Sequence, residues 1–172
     1  MLSGKENKDK SIPKFVVDVM LGSLSRWLRL FGFDTFYRND LTDKDLIKIS
    51  LQDRRILLTK DNALAKSKIL KNVLLISSEK LELQLKEVLT YLRKNKIEIL
   101  ILPPRCPLCN GEMTPVQREE VITEVPDYIS MTTNQFLKCK ACGKIYWHGS
   151  HKEKIEYLKN KILKDLEIKD SL

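Results

Sequence analysis

The sequence predicts an α/β domain with a mainly parallel central sheet, followed by a small cysteine-containing module and a C-terminal helix. Short apolar segments alternate with amphipathic segments through the first hundred residues, which is typical of a parallel sheet covered by helices on both faces. Pro103 and Pro104 interrupt this alternation, and two cysteine pairs follow them. We therefore place a disordered tail at residues 1–13, the α/β domain at 14–102, the module at 103–150 and the helix at 151–172.

The first strand is predicted at residues 15–19, an apolar segment interrupted only by Asp18. A helix is predicted at residues 20–31, because apolar side chains recur there at helical spacing and form one stripe. The stripe contains Leu21, Leu24, Leu28 and Phe31. Gly32 follows it, and we expect this glycine to end the helix in a left-handed conformation.

The remaining elements of the domain continue the alternation. Thr42, with Asp45 three residues later, predicts an acidic capping box at the start of the second helix. Ser78 is the predicted cap of a long helix at 79–94, and residues 97–102 are either a strand or a connection. The other predicted strands are 34–37, 55–59 and 73–76, and the other predicted helix is 61–70.

The cysteines form two C-x-x-C pairs, Cys106 with Cys109 and Cys139 with Cys142. Each pair is typical of a rubredoxin-type knuckle, and two knuckles supply four thiolates around one Zn²⁺. A polar N-terminal region without a signal peptide favours a reducing, cytoplasmic location and metal binding. Disulfides, a redox pair and bound iron are the alternatives. A four-thiolate zinc site is coordinatively closed, so any catalysis must lie elsewhere.

Positive charge is concentrated in the first domain. Residues 1–102 contain 20 Lys and Arg residues against 13 Asp and Glu residues, whereas residues 103–150 contain five of each. A basic domain favours a polyanionic partner such as nucleic acid. A lysine-rich, solvated surface without a partner is the alternative interpretation.

Three carboxylates are expected at the carboxyl ends of the strands, where α/β sheets bind their ligands. Asp18 lies near the end of the first strand, Asp43 opens the helix after the second, and Asp61 follows the third. Carboxylates grouped in this way suit Mg²⁺ or Mn²⁺. Asp43 and Asp61 are equally compatible with helix capping. Asp18 is harder to explain structurally, because a carboxylate within an apolar strand is costly unless it is paired or coordinated.

Arg26 and Arg29 lie off the apolar stripe of the first helix, where they are either phosphate ligands or ordinary surface cations. The turn before this helix contains only one glycine, Gly22. Neither a dinucleotide fingerprint nor a Walker loop is present, which argues against dinucleotide and nucleoside-triphosphate binding.

Four motifs in order resemble the Mut-seven C-terminal RNase family: residues 18–29 (DVMLGSLSRWLR), 57–61 (LLTKD), 105–110 (RCPLCN) and 146–151 (YWHGSH). The resemblance covers about residues 14–152. It implies a PIN-like, three-layer nuclease domain carrying a zinc ribbon, and a Mg²⁺- or Mn²⁺-dependent ribonuclease. The implied acidic ligands are Asp18, Asp43 and Asp61, and Glu79 is a candidate for a fourth.

The sequence therefore predicts an enzyme, a metal-dependent endoribonuclease whose zinc ribbon helps to bind RNA or a ribonucleoprotein such as the ribosome. Lys60, Arg26 and Arg29 are the expected phosphate contacts. His148 and His151 are expected either to contact RNA or to make a structural hydrogen bond. The main alternative is a non-catalytic RNA- or ribosome-binding protein, and a protein-interaction scaffold and a toxin are further alternatives.

Overall fold

A computed structural model describes residues 12–100, 102–147 and 150–167. Residues 1–11, most of the predicted disordered tail, lie outside this range. The strands are β1 (Lys14–Val17), β2 (Asp34–Phe36), β3 (Ile56–Thr59), β4 (Val73–Leu75), β5 (Met113–Val116), β6 (Phe136–Cys139) and β7 (Ile145–Trp147). The α-helices are α1 (Gly22–Leu30), α2 (Asp43–Gln52), α3 (Asn62–Ala65), α4 (Leu81–Lys94), α5 (Asp127–Thr132) and α6 (Ser150–Asp165).

The first four strands form a parallel sheet in the order β2-β1-β3-β4. Phe15 of β1 pairs with Thr35 of β2 on one side and with Ile56 of β3 on the other. All four strands therefore end at the same side of the sheet, which we call the carboxyl edge. This arrangement confirms the predicted α/β fold with its parallel sheet and flanking helices.

Apolar side chains of β1 and β3 alternate between the two faces of this sheet, as the pleat of a strand requires. Phe15, Val17 and Leu58 belong to a core on the face covered by α1 and α4. Val16 and Leu57 belong to a smaller core on the opposite face, together with Leu46 of α2 and Leu64 of α3. The sheet is thus the middle layer of three.

Several predicted boundaries differ from the observed ones. The third helix ends at Ala65 rather than Leu70, because Lys66 is its C-terminal cap and residues 67–70 form a separate turn. The fourth helix starts at Leu81 with Lys80 as its cap, so Ser78 is not the cap. Its amide donates instead to the Glu87 carboxylate. The described part of residues 97–102 forms a connection, not a strand.

The cysteine-containing module is a three-stranded antiparallel sheet in the order β5-β6-β7. The segment between the knuckles, including α5, covers one face of this sheet and encloses a small core of Val121, Val125, Ile129 and Phe136. In α6, Ile162 and Leu163 are buried in the core of the α/β domain beside α4. Among the described residues, no helix combines the length and apolarity that a membrane span requires.

Candidate metal centre and carboxyl edge

The four cysteines meet in one cluster, as the two knuckles predict. Their Sγ atoms all lie within 4.8 Å of one another, and all four cysteines are free thiols. The Sγ atoms of Cys106 and Cys142 are 3.8 Å apart, and those of Cys109 and Cys139 are 3.4 Å apart. Zn–S bonds of about 2.3 Å in a tetrahedron require separations of about 3.8 Å. The cluster could therefore hold a zinc ion, and a disulfide arrangement is not adopted.

Tyr146 on β7 supports this cluster from outside. Its hydroxyl lies 3.1 Å from Cys106 Sγ. Burial raises the pKa of Tyr146, and the hydrogen bond to Cys106 raises it further, so the phenol keeps its proton and donates it. Burial opposes ionisation of Cys106, but the bond from Tyr146 and nearby main-chain amides bring the pKa of this thiol down to about 7. A hydrogen-bond partner of this kind fixes the orientation of a side chain that binds a metal.

The first knuckle is attached to the edge of the parallel sheet through Asn110. Strand β2 is an edge strand, so some of its backbone amides have no strand partner. Asn110 Oδ1 accepts a hydrogen bond of 3.0 Å from the Thr35 amide, and Asn110 Nδ2 donates one of 2.7 Å to Asp34 Oδ1. Arg55 Nη1 also donates to Asp34 Oδ1, at 2.8 Å. One asparagine therefore joins the cysteine-containing module to β2.

Arg29 makes the second attachment, which differs from its predicted role. The side chain is only 3% exposed. Its guanidinium donates to the carbonyl oxygens of Thr35, Pro107 and Leu108, at 3.0, 2.9 and 3.1 Å. Burial lowers its pKa from the usual value, and the negative charge of the nearby cysteines opposes this change. A buried guanidinium with these partners is not available to RNA phosphate, which contradicts the prediction that Arg29 contacts RNA.

Asp18 and Asp61 meet through Thr59 at the carboxyl edge. Asp18 is 6% exposed, and its Oδ2 accepts a hydrogen bond of 2.5 Å from Thr59 Oγ1. The same hydroxyl oxygen accepts a bond of 2.9 Å from the Asp61 amide. No lysine or arginine forms an ion pair with Asp18 in the part of the chain that the structure describes. The threonine thus holds a buried, unpaired carboxylate beside the loop that carries a second one.

The turn that follows Asp18 is fixed by Tyr37, just after β2. Residues Val19–Leu21 form one turn of 3-10 helix. The Tyr37 hydroxyl donates to the Val19 carbonyl at 3.1 Å. A Cβ atom on Gly22 would lie 2.7 Å from the Tyr37 hydroxyl oxygen. The single glycine in this turn is therefore needed so that Tyr37 can pack against it.

Asp61 is a helix cap as well as a neighbour of Asp18. Its Oδ1 accepts hydrogen bonds from the amides of Ala63 and Leu64, at 2.6 and 3.1 Å. The capping interpretation of this residue is therefore correct for one carboxylate oxygen. The other oxygen has no hydrogen-bond partner among the described residues.

Asp43 lies in the first turn of α2, after the carboxyl end of β2, and is exposed. The three aspartates thus follow three adjacent parallel strands at one edge of the sheet. An ion shared by all three would need their side chains close together. Within the described part of the chain, however, only the four cysteines form a group of three or more His, Cys, Asp or Glu side chains close enough to share an ion. Asp18, Asp43 and Asp61 do not form a closed ligand set in this arrangement.

The other predicted RNA contacts have different surroundings. Lys60 lies at the carboxyl edge and forms an ion pair of 2.5 Å with Glu79, the suggested fourth acid. Arg26 is exposed on α1. His148 lies outside the described residues, as does the side chain of His151, so a contact between His151 and RNA stays a prediction.

Sequence reasoning did not identify Thr59, Tyr37 or Asn110 as site residues. The signal for Thr59 was its place as the polar residue at the end of the buried segment Leu57–Thr59. For Asn110, the signal was its place after the first cysteine pair, where Gly143 follows the second. Both have a positive φ, 68° and 72°. Nothing in the local sequence marks Tyr37.

Fold and site together define an α/β protein that has acids at the carboxyl edge of a parallel sheet and an attached four-thiolate module. The family model of the Mut7-C RNAse domain matches residues 13–158, which is most of the chain. The chain therefore belongs to the Mut7-C RNase domain family, as the four sequence motifs predicted. No curated protein and no solved structure shows a significant match.

Proposed function

We propose that this protein is a metal-dependent endoribonuclease that hydrolyses RNA at the carboxyl edge of its parallel sheet. The family supplies the reaction class, a nuclease acting on RNA. The buried carboxylate of Asp18 indicates where the active site lies. It lies at the end of β1 and is bonded to Thr59 at the end of β3.

The strand order strengthens this assignment of the site. In the order β2-β1-β3-β4, the chain moves from β1 to β2 on one side and later returns to β3 on the other side of β1. Ligands of open α/β sheets bind at such a switch point, outside the carboxyl ends of the strands on either side of it, here β1 and β3. Asp18 follows β1 and Asp61 follows β3.

The donor chemistry fits Mg²⁺ or Mn²⁺. Both ions prefer oxygen ligands, and Mg²⁺ commonly uses one or two carboxylates and keeps several waters. Asp18 and Asp61 would hold the ion, with Asp43 as a third acid. A divalent cation bound there supplies positive charge and Lewis acidity for phosphodiester hydrolysis.

The protein's own residues prepare the site in three ways. Thr59 fixes one oxygen of Asp18 and orients the loop of Asp61. Tyr37 fixes the turn after Asp18. Lys60 lies beside these acids and could neutralise phosphate charge if it leaves Glu79.

The test is cleavage of a labelled RNA by the zinc-loaded protein, with Mg²⁺ or Mn²⁺ either omitted or added. Omission is preferable to a chelator, because a chelator would also remove zinc. Cleavage should require the added ion, and Asp18→Asn should reduce it about 100-fold or more. Asp61→Asn should also reduce it while preserving the helix cap, since asparagine caps as well as aspartate.

A matched control is Asp53→Asn. Asp53 is the C-terminal cap residue of α2, before β3 and therefore at the opposite edge of the sheet. Its variant should cleave like the wild type. Cleavage that is equal in Asp18→Asn and in the wild type would contradict the proposal.

A non-catalytic RNA-binding role is the second candidate. It is favoured by the separation of the three aspartates, which do not form a shared ligand set among the described residues. Under this alternative, the wild type binds RNA with a steep salt dependence and gives no cleavage products with either ion.

A further inference from the structure

The chain segment from the end of α2 to β4 is strongly basic. Residues 54–72 contain six Lys and Arg residues and one acid, Asp61. Lys66 is the C-terminal cap residue of α3, and Lys68 and Lys71 lie in the turns that lead to β4. All three side chains are exposed. We call these three residues the α3 lysine surface.

No member of this surface forms an ion pair or a side-chain hydrogen bond with any described residue. The opposite layer of the domain differs. There, Lys86 of α4 pairs with Glu82 and Asp165, and Lys161 of α6 also pairs with Glu82. Lysines on the α1–α4–α6 face are thus partly neutralised by carboxylates, whereas the α3 lysine surface carries uncompensated charge.

The α3 lysine surface and the acids lie on the same side of the sheet. Asp18 and Thr59 follow Val16 and Leu57 by two residues, so strand alternation directs all four toward the α2–α3 face. Leu64 and Leu70 pack into the core of that face. Asp61 caps α3 at the carboxyl edge, and Lys66 follows it by five residues, or about 7.5 Å along a helix. The cations therefore begin next to the proposed catalytic acids.

The chemistry of the surface indicates which part of an RNA it contacts. Residues 62–72 contain no aromatic side chain on which a base could stack. Lysine ammonium groups bind phosphate as point charges and carry no sequence information. Such a surface fits the RNA backbone rather than the bases.

We propose that the α3 lysine surface binds the phosphate backbone of the RNA substrate and leads it to the carboxyl edge, with contacts that are independent of base sequence. This inference rests on the proposed ribonuclease function, because it assigns the substrate path of the same site.

The test compares two triple variants in an Asp18→Asn background, so that RNA stays intact during the measurement. Lys66→Gln, Lys68→Gln and Lys71→Gln together remove the surface. Lys94→Gln, Lys154→Gln and Lys164→Gln together remove the same charge from exposed positions on the opposite layer. Binding of a short fluorescent oligouridylate is measured over a range of salt concentrations.

Three lost phosphate contacts should lower the slope of log affinity against log salt by about 2, and affinity near 0.1 M salt about 10- to 100-fold. The control triple should bind within about threefold of its parent. Equal losses in both triples would show that only net charge matters, and no loss in either would show that RNA binds elsewhere. Either result would overturn the proposal.

A second readout does not depend on the variants. Oligonucleotides with photoreactive thiouridine should crosslink to the peptide that contains residues 66–71 in the wild-type protein. Crosslinks that avoid this peptide would contradict the assigned path. If the wild type binds RNA through this surface but does not cleave it with added Mg²⁺ or Mn²⁺, the surface is supported and the ribonuclease function is what fails.

Discussion

In both cysteine knuckles, the amide that follows the second cysteine donates to the carbonyl of the first cysteine. Asn110 N donates to Cys106 O at 2.8 Å, and Gly143 N donates to Cys139 O at 2.9 Å. Both residues have the left-handed conformation. Their surroundings, however, are opposite. Asn110 bonds to β2 of the parallel sheet, whereas a Cβ atom on Gly143 would meet nothing within 4 Å.

The two knuckles thus have the same backbone geometry but different structural roles. Arg29 and Asn110 connect the first knuckle to the α/β domain. The second knuckle supplies the other two thiols of the cluster. A metal ion shared by the two would therefore couple the folding of the small module to the edge of the large sheet.

The largest effect should follow from loss of a metal ligand. Cys106→Ser and Cys142→Ser should both abolish zinc binding and unfold the module, because structural zinc contributes about 10–16 kcal/mol of apparent binding free energy in small domains. Zinc content and amide hydrogen exchange measure this. Exchange of the Thr35 amide should accelerate in both variants. If it does not change, the first knuckle is held by protein contacts alone and the coupling is absent.

The next largest effect should be that of Arg29→Ala. This change leaves three main-chain carbonyl acceptors without their donor at a buried site, which should cost about 3 kcal/mol of unfolding free energy. Arg26→Ala is the matched control on the same helix, since Arg26 is exposed and should change stability by less than about 0.5 kcal/mol. Denaturant unfolding of the zinc-loaded protein measures both. If the two variants lose equal stability, the hydrogen bonds of Arg29 do not link the first knuckle to the α/β domain in any stabilising way.

A reciprocal pair of substitutions tests the knuckles directly. Asn110→Gly keeps the left-handed backbone but removes both side-chain bonds to β2, so stability should fall by about 1–2 kcal/mol. Gly143→Asn adds a side chain in open space at a conformation that asparagine tolerates, so the cost should be below about 1 kcal/mol. If Gly143→Asn is the more damaging change, the first knuckle is not the one whose side chain at this position stabilises the protein.

The smallest effect should be the pH dependence of the link through Asp34. Burial raises the pKa of this carboxyl, but hydrogen bonds from Arg55 and Asn110 outweigh it and hold the pKa below the ordinary 3.8. A lowered folded-state pKa means that the stabilisation is complete above about pH 4. The stabilisation is lost as the pH falls through the pKa that Asp34 has in the folded protein.

Asp34→Asn should therefore reduce stability by about 1 kcal/mol or less at neutral pH, since the pair with Arg55 is partly exposed. The difference from the wild type should shrink below pH 4, as urea unfolding at several pH values would show. A difference that grows on acidification would mean that Asp34 is not the charged partner in this link.

The sequence by itself determined the elements whose signals are local. The apolar alternation defined the strands and the layers, and Thr42 with Asp45 forms the expected capping box. Gly32 ends α1 with a φ of 94°. The cysteine spacing located the four-thiol cluster, because each knuckle is a turn of only a few residues whose geometry depends on its own sequence.

Only the tertiary structure decided how distant residues are used. Arg29 and Thr35 lie more than 70 positions from the knuckle residues that they contact. On its helix, Arg29 has the same sequence character as the exposed Arg26, and only docking of the module distinguishes them. Likewise, the strand order makes Asp18 and Asp61 neighbours through Thr59 and leaves Asp43 apart. Such pairings depend on how separate elements pack, and residue type and spacing do not encode that packing locally.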